Sequence, residues 1–179
     1  MKKVLIVIDM QVDFTTGSLA NEKAASIVPA IMERVKAFDG DVLFTKDSHM
    51  TDYLQTSEGK HLPVEHCIIH TAGHELAPGL AELSTKGREI GTNRTIWKPT
   101  FGYLDWKKYI SSDVEYIEIC GTCTDICVVS NALILKAMFP EAHLTVRADL
   151  CAALDEPGQD AALLVMERCQ CEIIKGVQK

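Results

Sequence analysis

The sequence predicts an α/β protein with a doubly wound, mostly parallel sheet of six strands and helices on both faces. Three observations support this fold class. Short runs rich in β-branched residues alternate with longer stretches of helical periodicity. Most of the short runs are almost continuously apolar, as expected for parallel strands that are covered on both faces. The regular alternation of the two patterns favours parallel pairing through right-handed crossovers.

The predicted strands are short and are separated by turn residues or helical patterns. Five of them are predicted at Val4–Ile8, Val42–Thr45, Val114–Cys120, Leu144–Ala148 and Glu172–Ile174. A sixth and weaker strand is predicted at Arg88–Ile90.

Helical patterns occupy most of the intervals between these strands. They cover Glu22–Phe38, Ala77–Leu83, Leu104–Ile110, Asp125–Met138 and Gly158–Arg168. In the first of them, apolar residues recur every third or fourth position, which indicates one face packed on the core. Because Pro29 lies inside this window, we expect the regular helix to begin only near it.

Length, charge and cysteine usage limit the class of protein. The chain has 179 residues, which predicts one domain spanning residues 1–179. The net charge is −7 and no basic cluster is present, so we do not expect a nucleic-acid partner.

No segment approaches the ~18 apolar residues of a membrane span, and the apolar run near the start ends at Asp9, too early for a secretory signal. Seven cysteines without a disulfide-like spacing favour a reducing cytoplasm.

A long stretch from about Lys46 to Gly73 has no convincing periodicity and contains four of the six histidines. Loops of this length are uncommon in compact domains and are usually functional or disordered. This one leaves the carboxyl end of a predicted strand, where sites gather in such sheets. It is therefore the first place to look for metal ligands.

Cys127 is the strongest candidate for a nucleophile. An apolar strand ends at Cys120, a GTCTD turn follows, and a helical pattern then begins. We expect Thr124 to cap that helix and Asp125 to suit its first turn. Cys127 would then lie in the opening turn, where unpaired backbone N–H groups stabilise a thiolate and can donate to an oxyanion.

Two other interpretations of the cysteines stay open. A free cysteine is most often a buried structural residue, and this is how we interpret Cys67, Cys151, Cys169 and Cys171. Alternatively, Cys120 and Cys123 form a C-x-x-C pair after a strand, as in thioredoxin-like redox proteins.

Asp9 and Lys98 complete a chemically reasonable set with Cys127. Asp9 directly follows a buried strand, where a carboxylate is unfavourable unless it has a role. Lys98 is crowded by apolar and aromatic neighbours, and a buried lysine requires a carboxylate partner. Asp9 could accept the thiol proton and deliver it to a leaving amine, while Lys98 holds the carboxylate and favours the thiolate.

The chain resembles the isochorismatase-like cysteine hydrolase superfamily and, within it, the nicotinamidase-related amidases. The motifs that carry the resemblance extend over nearly the whole chain: IDMQVDF, TKDSH, LPVEHCI followed by TAGHEL, KPTFGY and GTCTDICV. The resemblance implies that Asp9, Lys98 and Cys127 form a catalytic triad. It also implies a cis peptide bond between Thr122 and Cys123, with the N–H groups of Cys123 and Cys127 directed at the substrate oxygen.

The resemblance further implies a divalent metal, zinc first and manganese or iron as alternatives. Asp47, His49 and His66 match the family's metal ligands, and Glu58 lies where some members supply a further carboxylate. The metal would engage the pyridine nitrogen of nicotinamide. No role is implied for three other histidines, which we expect to be loop or surface residues: His61, His70 and His74.

Aromatic residues are expected to wall the substrate pocket, although the tryptophans that nicotinamidases often carry around these histidines are missing here. The candidates are Phe14, Trp97, Phe101 and Tyr103. The favoured function is hydrolysis of nicotinamide to nicotinate and ammonia. The alternatives are the same chemistry on another small amide or carbamoyl compound, and a redox protein using Cys120 and Cys123. The expected partner is a small-molecule amide, and family members often form homo-oligomers.

Overall fold

The computed structural model describes residues 2–85 and 94–176. Six strands form one sheet in the order β3-β2-β1-β4-β5-β6, and every neighbouring pair is parallel. The strands are β1 (Lys3–Ile8), β2 (Asp41–Asp47), β3 (Arg94–Lys98), β4 (Tyr116–Thr122), β5 (His143–Ala152) and β6 (Glu172–Ile174). The predicted fold class is confirmed.

Helices connect the strands and cover the sheet. They are α1 (Val12–Thr15), α2 (Glu22–Ala37), α3 (Ser57–His61), α4 (Leu80–Thr85), α5 (Val129–Met138) and α6 (Glu156–Arg168). The successive residues Val4–Ile8 of β1 are all buried, so both faces of the sheet centre are covered. Within the described ranges, no helix is long and apolar enough to cross a membrane.

The start of α2 differs from the prediction. The helix begins at Glu22, and Pro29 lies inside it. The Asn21 side chain caps the first turn by accepting a hydrogen bond from the Ala24 N–H at 3.1 Å. Proline removes one intrahelical hydrogen bond. The buried face that includes Ile27 and Ile31 keeps the helix in place.

The third strand also differs from the prediction. The predicted strand Arg88–Ile90 lies outside the described residues, and the third strand of the sheet is β3, Arg94–Lys98. Because β3 is an edge strand, only alternate residues of its second half are buried. This strand therefore lacks the continuous apolar run that is typical of a parallel strand covered on both faces.

Two predicted helices differ from the structure, one in its extent and one in its helix type. Of Leu104–Ile110, only Trp106–Lys108 forms a short 3₁₀ turn. Of Asp125–Met138, the first part is a π-helical turn, Thr124–Val128, that leads into α5.

The strand order places the carboxyl ends of β1 and β4 side by side. The chain winds from β1 through β2 to β3 in one direction and from β4 to β6 in the other. The reversal between β1 and β4 opens a crevice at the carboxyl ends of the strands, where doubly wound sheets bind ligands. Asp9 follows β1, and the turn that holds Cys127 follows β4.

Candidate active site

Lys98 lies at the centre of a buried polar cluster at this edge of the sheet. Its ammonium Nζ lies 2.6 Å from Asp9 Oδ2, 3.3 Å from Asp47 Oδ1 and 3.4 Å from Cys127 Sγ. It also donates to the Thr100 carbonyl at 3.2 Å. Lys98 and Asp9 are both fully buried. The structure therefore brings the three predicted triad residues together around one ammonium group.

Asp9 is held in a defined orientation. Its Oδ1 accepts a hydrogen bond from Thr45 Oγ1 at 2.6 Å, and its backbone N–H donates to the same hydroxyl at 3.1 Å. Its φ is +47°, an uncommon conformation for a residue other than glycine, and such residues cluster at functional sites. This geometry aims the second carboxylate oxygen at Lys98.

Burial governs the ionisation of the three groups. It raises the pKa of the Cys127 thiol well above its ordinary value, although the Lys98 ammonium opposes this. It also raises the pKa of Asp9, again against Lys98. Burial alone would lower the pKa of Lys98, but the carboxylate of Asp9 and the neighbouring Cys127 and Asp47 raise it, so the ammonium form persists. In the absence of substrate, Cys127 is therefore a protonated thiol, and the Asp9 carboxylate is more basic than an ordinary one.

The turn that carries Cys127 is more unusual than the sequence suggests. The Thr122–Cys123 peptide bond is cis, as the resemblance implies. Cys123 occupies the cap position of the π-helical turn, and its carbonyl accepts from the N–H groups of Ile126 and Val128. Thr124 was predicted to be the cap, but it lies inside the turn with its hydroxyl buried. Cys127 itself is almost fully buried.

The four predicted metal ligands lie together beside this cluster. Asp47, His49, Glu58 and His66 each offer one ligand atom, and these atoms lie within 4.8 Å of one another. Asp47 Oδ2 lies 2.9 Å from His49 Nε2 and 3.5 Å from His66 Nε2. Glu58 Oε1 lies 3.6 Å from His49 Nε2 and 3.9 Å from His66 Nε2.

The donor set fits a divalent transition metal. His66 Nδ1 lies 2.8 Å from the Val64 carbonyl, which can only accept, so Nδ1 carries the proton and Nε2 presents its lone pair to the cluster. Burial alone would raise the pKa of Asp47, but the Lys98 ammonium and the hydrogen bond from His49 hold it well below its ordinary value. Two imidazoles with carboxylates suit Zn²⁺, Mn²⁺ or Fe²⁺.

Gln11 and Asp13 support the candidate metal cluster through hydrogen bonds, and neither residue was predicted to have a role. The Gln11 side chain accepts from the Asp47 N–H at 2.7 Å and donates to the Asp47 carbonyl at 2.9 Å. Asp13 Oδ2 accepts from the N–H of Cys67 at 2.7 Å, next to His66. Both residues belong to the IDMQVDF motif, which was the available signal.

Asn131 ties the nucleophile turn to the loop that follows β3. Its Nδ2 donates to the carbonyl groups of Cys127 at 2.8 Å and of Phe101 at 3.0 Å. Its Oδ1 accepts from the N–H of Tyr103 at 2.8 Å. Asn131 is fully buried. An asparagine among the mainly apolar residues of this helix was the available signal in the sequence.

A cavity of about 620 Å³ opens in front of Cys127. Two of the four predicted pocket residues, Phe14 and Phe101, line it, and so do Thr122, Cys123 and three of the metal-site residues. Four aliphatic residues that were not predicted also line the cavity: Leu19, Leu62, Ile126 and Leu154.

Trp97 and Tyr103 do not line this cavity. Successive side chains of a strand point to opposite faces, so Trp97 points away from the face that carries Lys98. Its half-exposed ring packs against His74 at a centroid distance of 5.1 Å. Tyr103 instead packs against Trp106 at 5.2 Å.

His74 was expected on a loop or surface and is instead buried. Its Nε2 lies 2.8 Å from Ser48 Oγ, and burial together with the nearby Lys46 lowers its pKa to about 4. His61 and His70 are exposed, as expected.

The C-x-x-C pair does not have the setting of a redox site. Cys120 lies within β4, pairs with Val7 and is fully buried. Thiol–disulfide exchange requires an accessible thiolate, and burial raises the pKa of Cys120 well above its ordinary value.

Comparison with known structures gives the same fold. Pyrazinamidase of Pyrococcus horikoshii, solved in complex with zinc, is 22% identical with a TM-score of 0.80, covering 98% of this chain and 100% of that chain. Nicotinamidase PncA from Bacillus subtilis is 23% identical with a TM-score of 0.79 and the same coverage. Pyrazinamidase/nicotinamidase from Streptococcus mutans UA159 is 25% identical with a TM-score of 0.82, covering 97% and 100%.

A comparison with curated proteins gave no match. The family model for the isochorismatase domain, however, matches residues 3–177, which includes every residue of the predicted triad and of the candidate metal cluster. The chain therefore belongs to the isochorismatase domain family of hydrolases.

Proposed function

We propose that the protein is a cysteine amidohydrolase that converts a small carboxamide into the carboxylic acid and ammonia. Hydrolysis of nicotinamide to nicotinate is the reference reaction. The observation that carries the proposal is the contact of Lys98 Nζ with both Asp9 Oδ2 and Cys127 Sγ beside the cavity. The structural neighbours named above are nicotinamidases and pyrazinamidases, which supports the choice of an amide as the substrate class.

In the acylation step, Asp9 accepts the thiol proton of Cys127, and the sulfur attacks the carbonyl carbon of the amide. The Lys98 ammonium stabilises the developing negative charge on sulfur and keeps Asp9 oriented. The carbon–nitrogen bond then breaks, Asp9 returns its proton to the leaving nitrogen, and ammonia departs. The acyl group remains as a thioester on Cys127.

In the deacylation step, Asp9 accepts a proton from water, and the resulting hydroxide attacks the thioester. The carbon–sulfur bond breaks, the carboxylic acid leaves, and Asp9 returns its proton to the sulfur of Cys127. The N–H groups of Cys123 and Cys127 are proposed to donate to the substrate oxygen during both steps. The net reaction consumes one water for each amide.

The metal is proposed to bind Asp47, His49, Glu58 and His66, at one end of the cavity. When bound, it would supply a Lewis-acidic site that holds and orients the substrate. Zinc is the first candidate, because one neighbour was solved with zinc and the donor set suits it.

A second candidate keeps the triad but uses another amide or a carbamoyl compound. The aliphatic side chains of Leu62 and Leu154 in the cavity wall favour it, because they cannot stack on a pyridine ring as an aromatic wall would. This second candidate does not require a metal, so stoichiometric metal in the purified protein would argue against it.

The test is ammonia release from nicotinamide by protein loaded with zinc, manganese or iron, with Cys127→Ala as the matched control. We expect release by the wild type and none above background by the variant. If the loaded wild type released no ammonia from nicotinamide, pyrazinamide or other small amides, the proposed function would be wrong.

A further inference from the structure

The cavity in front of Cys127 is larger than a single-ring carboxamide requires. Its volume of about 620 Å³ lies in the middle of the range of roughly 300–1,000 Å³ found for pockets that bury drug-sized ligands. The nucleophile and the metal cluster occupy one part of its wall, formed by Thr122–Cys123, Cys127, Asp47, Glu58 and His66. The other lining residues are mostly apolar.

Three leucines contribute to the apolar wall of the cavity. They are Leu19, Leu62 and Leu154, and the last two expose 39% and 66% of their surface to solvent. Large aliphatic side chains that line a pocket and remain this exposed form an apolar surface that a ligand can cover.

This wall is fixed by hydrogen bonds between distant segments. Asn21 Nδ2 donates to the Ala153 carbonyl at 2.9 Å, which joins the start of α2 to the segment that follows β5. The N–H of Leu154 lies 3.4 Å from Asp125 Oδ1, in the nucleophile turn. The apolar part of the cavity is therefore built onto the same turn as the catalytic cysteine and is preformed.

Apart from the proposed metal, the cavity offers no positive charge to an anionic substrate among the described residues. Glu22, Asp47 and Glu58 are the charged side chains among the described residues that line it, and no lysine or arginine lines it there. Lys98 is fully buried and is paired with Asp9 and Asp47. A substrate carboxylate that does not ligate the proposed metal would therefore lose its hydration without gaining a basic partner in this lining.

We propose that the substrate is an uncharged carboxamide whose acyl group carries an apolar extension beyond one ring, which covers Leu19, Leu62 and Leu154. This inference rests on the proposed amidase function and narrows its substrate class. The reaction remains hydrolysis of the amide to the acid and ammonia.

The experiment compares three amides that differ in one feature each. Nicotinamide is the reference, quinoline-3-carboxamide adds a fused apolar ring, and 5-carboxynicotinamide adds a negative charge. We expect kcat/KM for the quinoline compound to be at least about tenfold above that for nicotinamide, the effect of one buried apolar group. For the carboxylate compound we expect kcat/KM at least about tenfold below it.

A substitution in the apolar wall tests whether the preference for quinoline-3-carboxamide depends on that wall. Leu154→Trp places a larger side chain in the apolar wall of the cavity and should reduce the preference for quinoline-3-carboxamide over nicotinamide at least about tenfold. Leu164 is also about half exposed, but it lies on α6 and does not line this cavity, so Leu164→Trp is the matched control and should keep the preference. Circular dichroism checks that both variants fold.

Binding to a Cys127→Ala variant separates the two proposals. Calorimetric titration of this protein measures affinity without turnover, and Cys127→Ser serves if the alanine variant does not fold. Tighter binding of quinoline-3-carboxamide than of nicotinamide supports the inference even if neither is hydrolysed, a result that would overturn only the amidase function. Hydrolysis of nicotinamide with equal or weaker binding of the quinoline compound would overturn the inference and leave the amidase function intact.

Discussion

Asp47 and Lys98 are register partners on β2 and β3, and their side chains join the proposed triad to the candidate metal cluster. Asp47 Oδ1 lies 3.3 Å from Lys98 Nζ, while Asp47 Oδ2 lies 2.9 Å from His49 Nε2. One carboxylate therefore contacts both the ammonium beside the nucleophile and the histidines of the metal cluster. Loss of its charge should affect both sites.

We predict that Asp47→Asn weakens metal binding at least about tenfold and also lowers kcat at saturating metal. His49→Gln should weaken metal binding by a similar factor but recover most of its kcat at high metal, because it leaves the contact with Lys98 unchanged. Metal titration followed by calorimetry and ammonia release checks both. Full recovery of Asp47→Asn at high metal would show that the contact with Lys98 is irrelevant to turnover.

The triad gives a second prediction. Cys127→Ala should abolish turnover, and Asp9→Asn should lower kcat by about 10²–10⁴-fold, the usual contribution of a positioned general base. Cys169→Ala changes an exposed cysteine outside the cavity and should retain wild-type activity. Ammonia release under substrate saturation is the measurement. An Asp9→Asn protein within a few-fold of wild type would remove Asp9 from the mechanism.

Gln11 should act as a positioning residue for Asp47. Gln11→Leu keeps much of the side-chain volume but removes both hydrogen bonds to the Asp47 backbone. We predict a loss of about 10–100-fold in metal affinity, as found for the outer hydrogen bonds of metal sites. Gln11→Glu restores the acceptor only, and its metal affinity should lie between those of the wild type and Gln11→Leu. Unchanged metal affinity in a folded Gln11→Leu protein would contradict this role.

Gly121 is expected to be irreplaceable for folding. Its φ is +122°, and a Cβ at this position would overlap the backbone oxygen of Ile8 on the neighbouring strand. Gly121→Ala should lower the free energy of unfolding by more than about 1 kcal/mol, measured by urea denaturation. Gly176 also has a positive φ, but a Cβ there would meet only the Asp149 side chain, so Gly176→Ala should be milder. Equal effects of the two variants would argue against the close approach of β1 and β4.

His74 should make the fold sensitive to mild acid. Its pKa is lowered to about 4 in the folded protein from an ordinary value of 6.5. Between these two pH values the unfolded chain binds a proton that the folded chain does not, so the free energy of unfolding falls as the pH drops from 6.5 towards 4. His74→Gln should show a shallower decrease over this window in chemical denaturation at several pH values. Parallel curves for the two proteins would exclude His74 as a source of the effect.

The central strands, and the positions of Asp9 and Cys127 after two of them, were predictable because each depends on a local signal. The continuous apolar run Val4–Ile8 predicts a buried parallel strand, and the polar residue that follows it must lie at the sheet edge. The edge strand β3 was missed because one of its faces is partly open, so its pattern alternates. The pocket wall was only half predicted, because Trp97 and Lys98 are neighbours in sequence but point to opposite faces of a strand. Gln11 and Asn131 act through backbone groups of distant residues, and such contacts leave no periodic pattern.

The strand order also determines when the site can exist during folding. Asp9 follows β1, Cys127 follows β4, and Lys98 ends the edge strand β3, which joins the sheet only through β2. The three groups meet only after four strands have paired across long stretches of the chain, and such non-local pairing is slow. Recovery of turnover during refolding would therefore time the closure of this half of the sheet, whereas far-ultraviolet circular dichroism would report the earlier helices.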